Sequence, residues 1–151
     1  MSKRFELIGK NRINLYVKGG KGTLKLQAPS GNYHIYSFRE PMDKDNFDEW
    51  VLFAFCKHED GRWLYVGKLD KDLNFKYTRN SKYGVDSEEF KGAAYIVKLM
   101  KQDVNTPMKL FHYGRCSVCG KKLTNDFAIK NGMGYRCRRK LIKELELSGV
   151  K

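Results

Sequence analysis

The stretch WVLFAFCK-HEDG-RWLYVGKL, residues 50–69, constrains the fold more than any other part of the chain. Two runs rich in aromatic and β-branched residues flank a polar tetrapeptide, and Asp60-Gly61 supplies the residue types a tight turn needs. In WVLFAFCK both alternating faces are apolar, which predicts a central strand covered on both sides. Similar short runs recur on either side: INLYV (13–17), TLKLQ (23–27), YHIYSF (33–38) and LNFKYT (73–78). KGGKG, APSGN, PMDKDNFDE and DKD break them. Residues 62–69 and 73–78 are expected to form a second hairpin. The first eighty residues therefore predict a twisted, mostly antiparallel sheet or partial barrel.

After residue 85 the period changes. DSEEFKGAAYIVKLMKQ (86–102) places Phe90, Ala93, Ala94, Val97 and Met100 at helical spacing, with Ile96 and Leu99 widening the stripe. Asp86 or Ser87 can cap this helix, and Glu88 and Glu89 suit its first turn. DVNTPMKLF (103–111) reads as a linker broken by Pro107. RRKLIKELEL (138–147) reads as a short final helix with Leu141, Ile142 and Leu145 on one edge. The expectation is an α+β chain. Its parts are a β-rich domain closed by one packed helix (1–102), a linker (103–111), and a small knuckle subdomain ending in a basic helix (112–151).

No run reaches the roughly 18 apolar residues of a membrane span, and MSKRFELIGKNR lacks the apolar core of a secretion signal. A cytoplasmic setting is expected, where clustered cysteines favour metal ligation over disulfides. Thirty Lys and Arg face 17 Asp and Glu, a formal net charge of +13. Residues 103–151 hold 11 basic and 4 acidic side chains, the earlier 102 residues 19 and 13. Such a surplus favours polyanionic partners.

Cys116-Ser-Val-Cys119-Gly is the spacing of a metal knuckle: two thiolates on one tight turn can grip one ion. Cys137 opens the final helix, where free N–H groups favour a thiolate. A helix-borne partner three residues on would complete four ligands, but that residue is Lys140, whose ammonium cannot ligate. The fourth ligand must come from elsewhere. His112, four residues before Cys116, is the nearest candidate and is taken here as the fourth. His34, His58 and Cys56 are further ones, although a thiol inside a strand pattern commonly packs as a small hydrophobe.

The stretch HYGRCSVCGKKLT, followed by GMGYRC, resembles a small zinc-knuckle domain of bacteriophage and prophage proteins with no assigned function. The resemblance is carried by His112, Gly114, Arg115, Cys116, Cys119, Gly120, Lys121, Leu123, Thr124, Gly132, Gly134 and Cys137. It covers about a fifth of the chain and implies one structural zinc ion on His112, Cys116, Cys119 and Cys137. Tyr135 and the Asn125-Asp126-Phe127 loop stand where that family usually carries prolines, and neither change removes a ligand. The run from WVLFAFCK to Phe75, Lys76, Tyr77, Thr78, Arg79 and Ser81 more loosely resembles the β-rich segment before the knuckle in some phage proteins.

No glutamate stands beside the cysteines in a deaminase setting, and no H-E-x-x-H, phosphate-loop or G-x-S-x-G motif is present. A non-enzyme with no catalytic residues and no small-molecule substrate is expected. Arg115, Lys121, Lys122, Lys130, Arg136, Arg138, Arg139 and Lys140 cluster around the cysteines and predict a phosphate-binding patch for DNA or RNA. Tyr16, Tyr33, Tyr36 and Tyr83 are candidates for stacking on bases. The alternative is a protein-interaction module that docks on a host protein or ribonucleoprotein. If the chain is phage-encoded, its setting is the host bacterial cytoplasm.

Overall fold

The computed structural model describes residues 3–43 and 46–150. Lys44 and Asp45 of the expected PMDKDNFDE break lie outside the described residues, as do Met1, Ser2 and Lys151. The elements run β1 (Phe5–Glu6), α1 (Lys10–Lys18), β2 (Lys21–Gln27), β3 (Tyr33–Arg39), β4 (Val51–Lys57), β5 (Trp63–Asp70) and β6 (Phe75–Lys76). They continue with α2 (Glu88–Lys101), β7 (Lys109–His112), α3 (Asp126–Asn131) and α4 (Tyr135–Ser148). The strands form one antiparallel sheet in the order β1-β7-β2-β3-β4-β5-β6. It is an open sheet, not a barrel, and ends on two-residue strands that leave little edge backbone to pair with other chains.

The hairpin that dominates the sequence forms β4 and β5. The His58 N–H donates to the Arg62 carbonyl at 2.7 Å, and Gly61 turns the chain at φ 89°. A bulge at Ala54/Phe55 leaves Val66 unpaired, so Phe55 faces Tyr65 while Ala54 faces Gly67. The extra residue lets the strand keep its apolar set inward on both sides of the bulge. Helix α2 starts where the sequence places it. Ser87 Oγ accepts the Phe90 N–H at 3.1 Å, and Ala93, Ile96, Val97, Leu99 and Met100 are buried.

Three local expectations are corrected. INLYV is not a strand but lies within α1. Ile13, Tyr16 and Val17 stand at i, i+3 and i+4, and all three are buried on one helical face. Part of the expected linker is a strand: Lys109–His112 enters the sheet between β1 and β2, with Leu110 and His112 turned inward. The two expected helices become four among the described residues: α1 and α3 are added, hidden by β-like composition and short length, and α4 starts three residues earlier than expected, at Tyr135.

The two sheet faces differ. One carries Leu24, Leu26, Tyr36, Phe38, Leu52, Ala54, Cys56 and Leu69, all buried in one core with residues of every helix. Helix α1 meets this face through Tyr16, whose ring lies over Gly22, and α2 meets it where the Tyr36 hydroxyl donates to the Glu89 carbonyl at 2.8 Å. Successive residues of a strand point to opposite faces. The other face therefore bears Lys25, Arg39, Phe53, Phe55, Lys57, Trp63, Tyr65, Lys68 and Phe111, all half-buried or exposed, so β4, expected to be covered on both sides, is fully buried on one side alone.

Candidate metal centre

The knuckle is built by backbone hydrogen bonds. The Cys116 N–H donates to the Lys121 carbonyl at 2.8 Å, and the Gly120 N–H returns to the Cys116 carbonyl at 2.9 Å, with Gly120 at φ 79°. A bridge between Arg115 and Lys122 closes the loop base. Downstream, Asn125 Oδ1 caps α3 by accepting the Ala128 N–H at 2.9 Å, and Gly132 ends that helix in the left-handed region. A side chain at Gly132 would strike the Tyr16 ring, so the turn that aims α4 is fitted against α1. Cys137 is the third residue of α4.

These elements bring Cys116, Cys119 and Cys137 together, with their sulfur atoms all within 4.8 Å of one another. Cys116 is buried, Cys137 half-buried and Cys119 exposed. Burial raises the Cys116 thiol. The N–H groups of Cys119, Gly134 and Val118 point at its sulfur and outweigh that effect, holding it below the ordinary thiol range. Burial and hydrogen bonds to the other two sulfurs push Cys137 up. Three thiols this close repel one another once ionised, and a bound cation removes that penalty. The donor set fits a soft or borderline metal ion.

His112, expected as the fourth ligand, is not among the donor atoms that lie within 4.8 Å of one another at the three sulfurs. As an inward residue of β7 it is fully buried between Phe5 and Tyr16, with ring centroids 5.6 and 5.5 Å away. Nδ1 accepts the Gly114 N–H at 3.0 Å, and Nε2 lies 2.6 Å from the Ile129 carbonyl. Both ring nitrogens are thus occupied. His112 ties β7, the knuckle entrance and α3 together, and desolvation lowers its pKa. The other candidates stand elsewhere: His34 is 3.7 Å from Glu88, His58 is 3.2 Å from Asp60, and Cys56 lies in the sheet core with its thiol raised to about 12 by burial.

Around the sulfurs, Arg115, Lys121, Lys122, Lys130, Arg136, Arg139 and Lys140 are exposed, and Arg138 is half-buried. Among the described residues Lys140 alone of the eight pairs with a carboxylate, Glu144 at 3.9 Å. The sequence did not flag Ser117, whose buried hydroxyl has no hydrogen-bond partner among the described residues, or the buried Nε of Arg138, likewise without one among them. Of the four tyrosines considered for stacking, Tyr16 and Tyr36 are core residues, Tyr83 is half-buried and Tyr33 is exposed.

A family of unknown function, DUF6011, matches residues 111–142, the stretch that holds His112, the knuckle and Cys137. No curated protein and no solved structure matches the chain. Among the described residues no helix is long and apolar enough to cross a membrane.

Proposed function

We propose that this protein binds nucleic acid through the basic surface around a zinc-loaded three-thiol site, and that it does so without catalysing a reaction. The observation that carries the reading is the set of exposed and half-buried cations flanking the cysteines, only one of which is paired with an acid among the described residues. Lys and Arg side chains held on a rigid turn and the first turns of a helix are suited to phosphates, which supply affinity without sequence information. Zinc suits the thiolate donors and would cross-link the knuckle to α4 through Cys116, Cys119 and Cys137. The resemblance to phage zinc knuckles supports a setting in a host bacterial cytoplasm.

The test is a titration of zinc-loaded protein, freed of nucleic acid, against labelled single-stranded DNA, duplex DNA and RNA at about 50 and 200 mM salt. Multiple phosphate contacts give a steep loss of affinity over that range. Changing Arg138, Arg139 and Lys140 together to Ala is expected to weaken binding and flatten the salt dependence. Absence of binding to all three polymers overturns the reading.

A second reading, docking on a host protein or ribonucleoprotein, is favoured by a different observation. A cleft of about 530 Å³ between α4 and the chain before β4 is lined by Phe47, Leu141, Leu145 and Leu147, with Lys18 in its wall. Leu147 is 82% exposed. Co-purification of one defined protein after nuclease treatment, lost on Leu147→Asp, would establish it.

A further inference from the structure

We infer that the helix-free face of the sheet is a stacking platform for single-stranded nucleic acid, distinct from the basic surface around the thiols. The inference rests on the nucleic-acid reading above and adds a second surface and a strand preference to it. The helices that touch the sheet do so through its inward set, as at Tyr16 over Gly22 and Tyr36 under α2. The opposite face keeps aromatic rings that the core does not use.

Phe53, Phe55 and Tyr65 form an edge-to-face array, with Tyr65 5.9 Å from Phe53 and 5.8 Å from Phe55. Trp63, 40% exposed, stands beside them across the β4–β5 pair. Together Phe55, Trp63, Arg39 and Ser37 line a shallow cavity of about 220 Å³. That is smaller than the roughly 300–1,000 Å³ of ordinary small-molecule sites and suits one flat ring entering between an indole, a phenyl and a guanidinium. Farther along the face Lys25 lies over the Tyr33 ring, 4.1 Å from its centroid.

Charge selects the occupant. In outward register the strands carry Lys21, Lys25, Arg39, Lys57, Lys68 and Lys109. Against them stand Glu6 and Asp70, and Asp70 is paired with Lys76 at 3.4 Å. An apolar face meant for a second sheet or a helix would not interleave rings with unpaired cations. A chain of unpaired bases on a phosphate backbone needs both: rings to stack on and cations at the phosphates. A duplex hides its base faces and can use only the cations, so the aromatic part of this surface discriminates between the two forms.

Trp63 allows a direct test. In full-length zinc-loaded protein carrying Trp50→Phe, Trp63 is the remaining tryptophan, since the chain has two. A 12-nucleotide single strand of DNA or RNA is expected to quench its fluorescence saturably, and a duplex of equal length to do so far less. Trp63→Ala is expected to weaken single-strand binding about 5- to 100-fold, the range for loss of one stacked base, while Trp63→Phe retains most of it. Lys25→Ala with Lys57→Ala, both surface changes, is expected to lower the salt slope. Thermal melting of each variant checks that the fold persists. If the sheet variants bind as the parent does, and only the Arg138, Arg139 and Lys140 changes weaken binding, the platform is overturned while nucleic-acid binding stands. If no polymer binds, both fall together.

Discussion

Leu52, Ala54, Val66 and Leu69 on β4 and β5 are wholly or almost wholly buried, as are Ile96 and Met100 above them. Helix α4, equally long as α2, buries only Leu141 and Leu145. The sheet and α2 form a core that apolar burial alone can hold, at about 1.5–3 kcal/mol for each large side chain. The thiol segment has a few apolar anchors, Leu123, Ala128 and Met133, and three sulfurs that repel when ionised. One region is stabilised by excluding water. The other has a thiol cluster where an ion would do much of the same work, as is usual for short segments that cannot build a core.

Removing the metal is expected to have the largest effect and to be confined to one side of this comparison. Structural zinc sites are worth about 10 kcal/mol or more at neutral pH. Chelation, or Cys116→Ser, should therefore abolish hydrogen-exchange protection over residues 114–140 and leave residues 51–57 protected. Equal loss in both regions would show that they unfold as one unit. The reverse experiment is Leu52→Ala, expected to cost about 2–5 kcal/mol in denaturant unfolding while metal content per folded chain is unchanged.

How legible each region was follows the same division. The β4–β5 hairpin and α2 were readable because aromatic and β-branched runs around a turn pair, and a 3.6-residue stripe, persist over long stretches. The three cysteines were readable because a knuckle turn plus a helix-start thiol is a spacing with one obvious use. Short elements were not. Ile13, Tyr16 and Val17 hide a helical stripe inside β-prone residues, and β7 is four residues long. His112 shows the limit of reasoning from proximity. Four residues from Cys116 is close along the chain, but the strand register turns its ring into the core beside Leu24. Sequence distance says nothing of that parity.

His112→Ala sharpens this point. Loss of its bonds to Gly114 and Ile129, with the cavity left between Phe5 and Tyr16, is expected to cost about 3 kcal/mol. Metal content per folded chain should not change, because both ring nitrogens are engaged by the backbone of Gly114 and Ile129. Loss of the metal in folded protein would restore His112 as a ligand.

Lys18 marks a place where the two regions press on one charge. It ends α1, is buried beside Leu141 and Leu145, and has no hydrogen-bond or ion-pair partner among the described residues. Burial lowers its pKa to about 8 from an ordinary 10.5. The unfolded chain thus holds this proton more tightly, so the cost is full below pH 8 and fades as pH rises towards 10.5. Lys18→Met is expected to raise stability by about 1–3 kcal/mol at pH 7, with the gain shrinking across that window. A gain independent of pH would assign the effect to packing alone.

The smallest expected effect compares the same kind of bond on both sides. Ser87 Oγ caps α2 by accepting the Phe90 N–H at 3.1 Å, and Asn125 Oδ1 caps α3 by accepting the Ala128 N–H at 2.9 Å. Changing either cap to Ala costs about 1 kcal/mol. In α2 that cost falls on the shared core, so Ser87→Ala should shift the global denaturant midpoint and leave metal affinity alone. In α3 it falls on the turn that carries Gly132 and aims Cys137. Asn125→Ala should therefore appear chiefly as a roughly fivefold weaker metal affinity, measured by competition with a chromogenic chelator, with little change in the sheet's midpoint. If both variants moved the same observable by the same amount, the division between a core held by burial and a segment held by thiols would not describe this molecule.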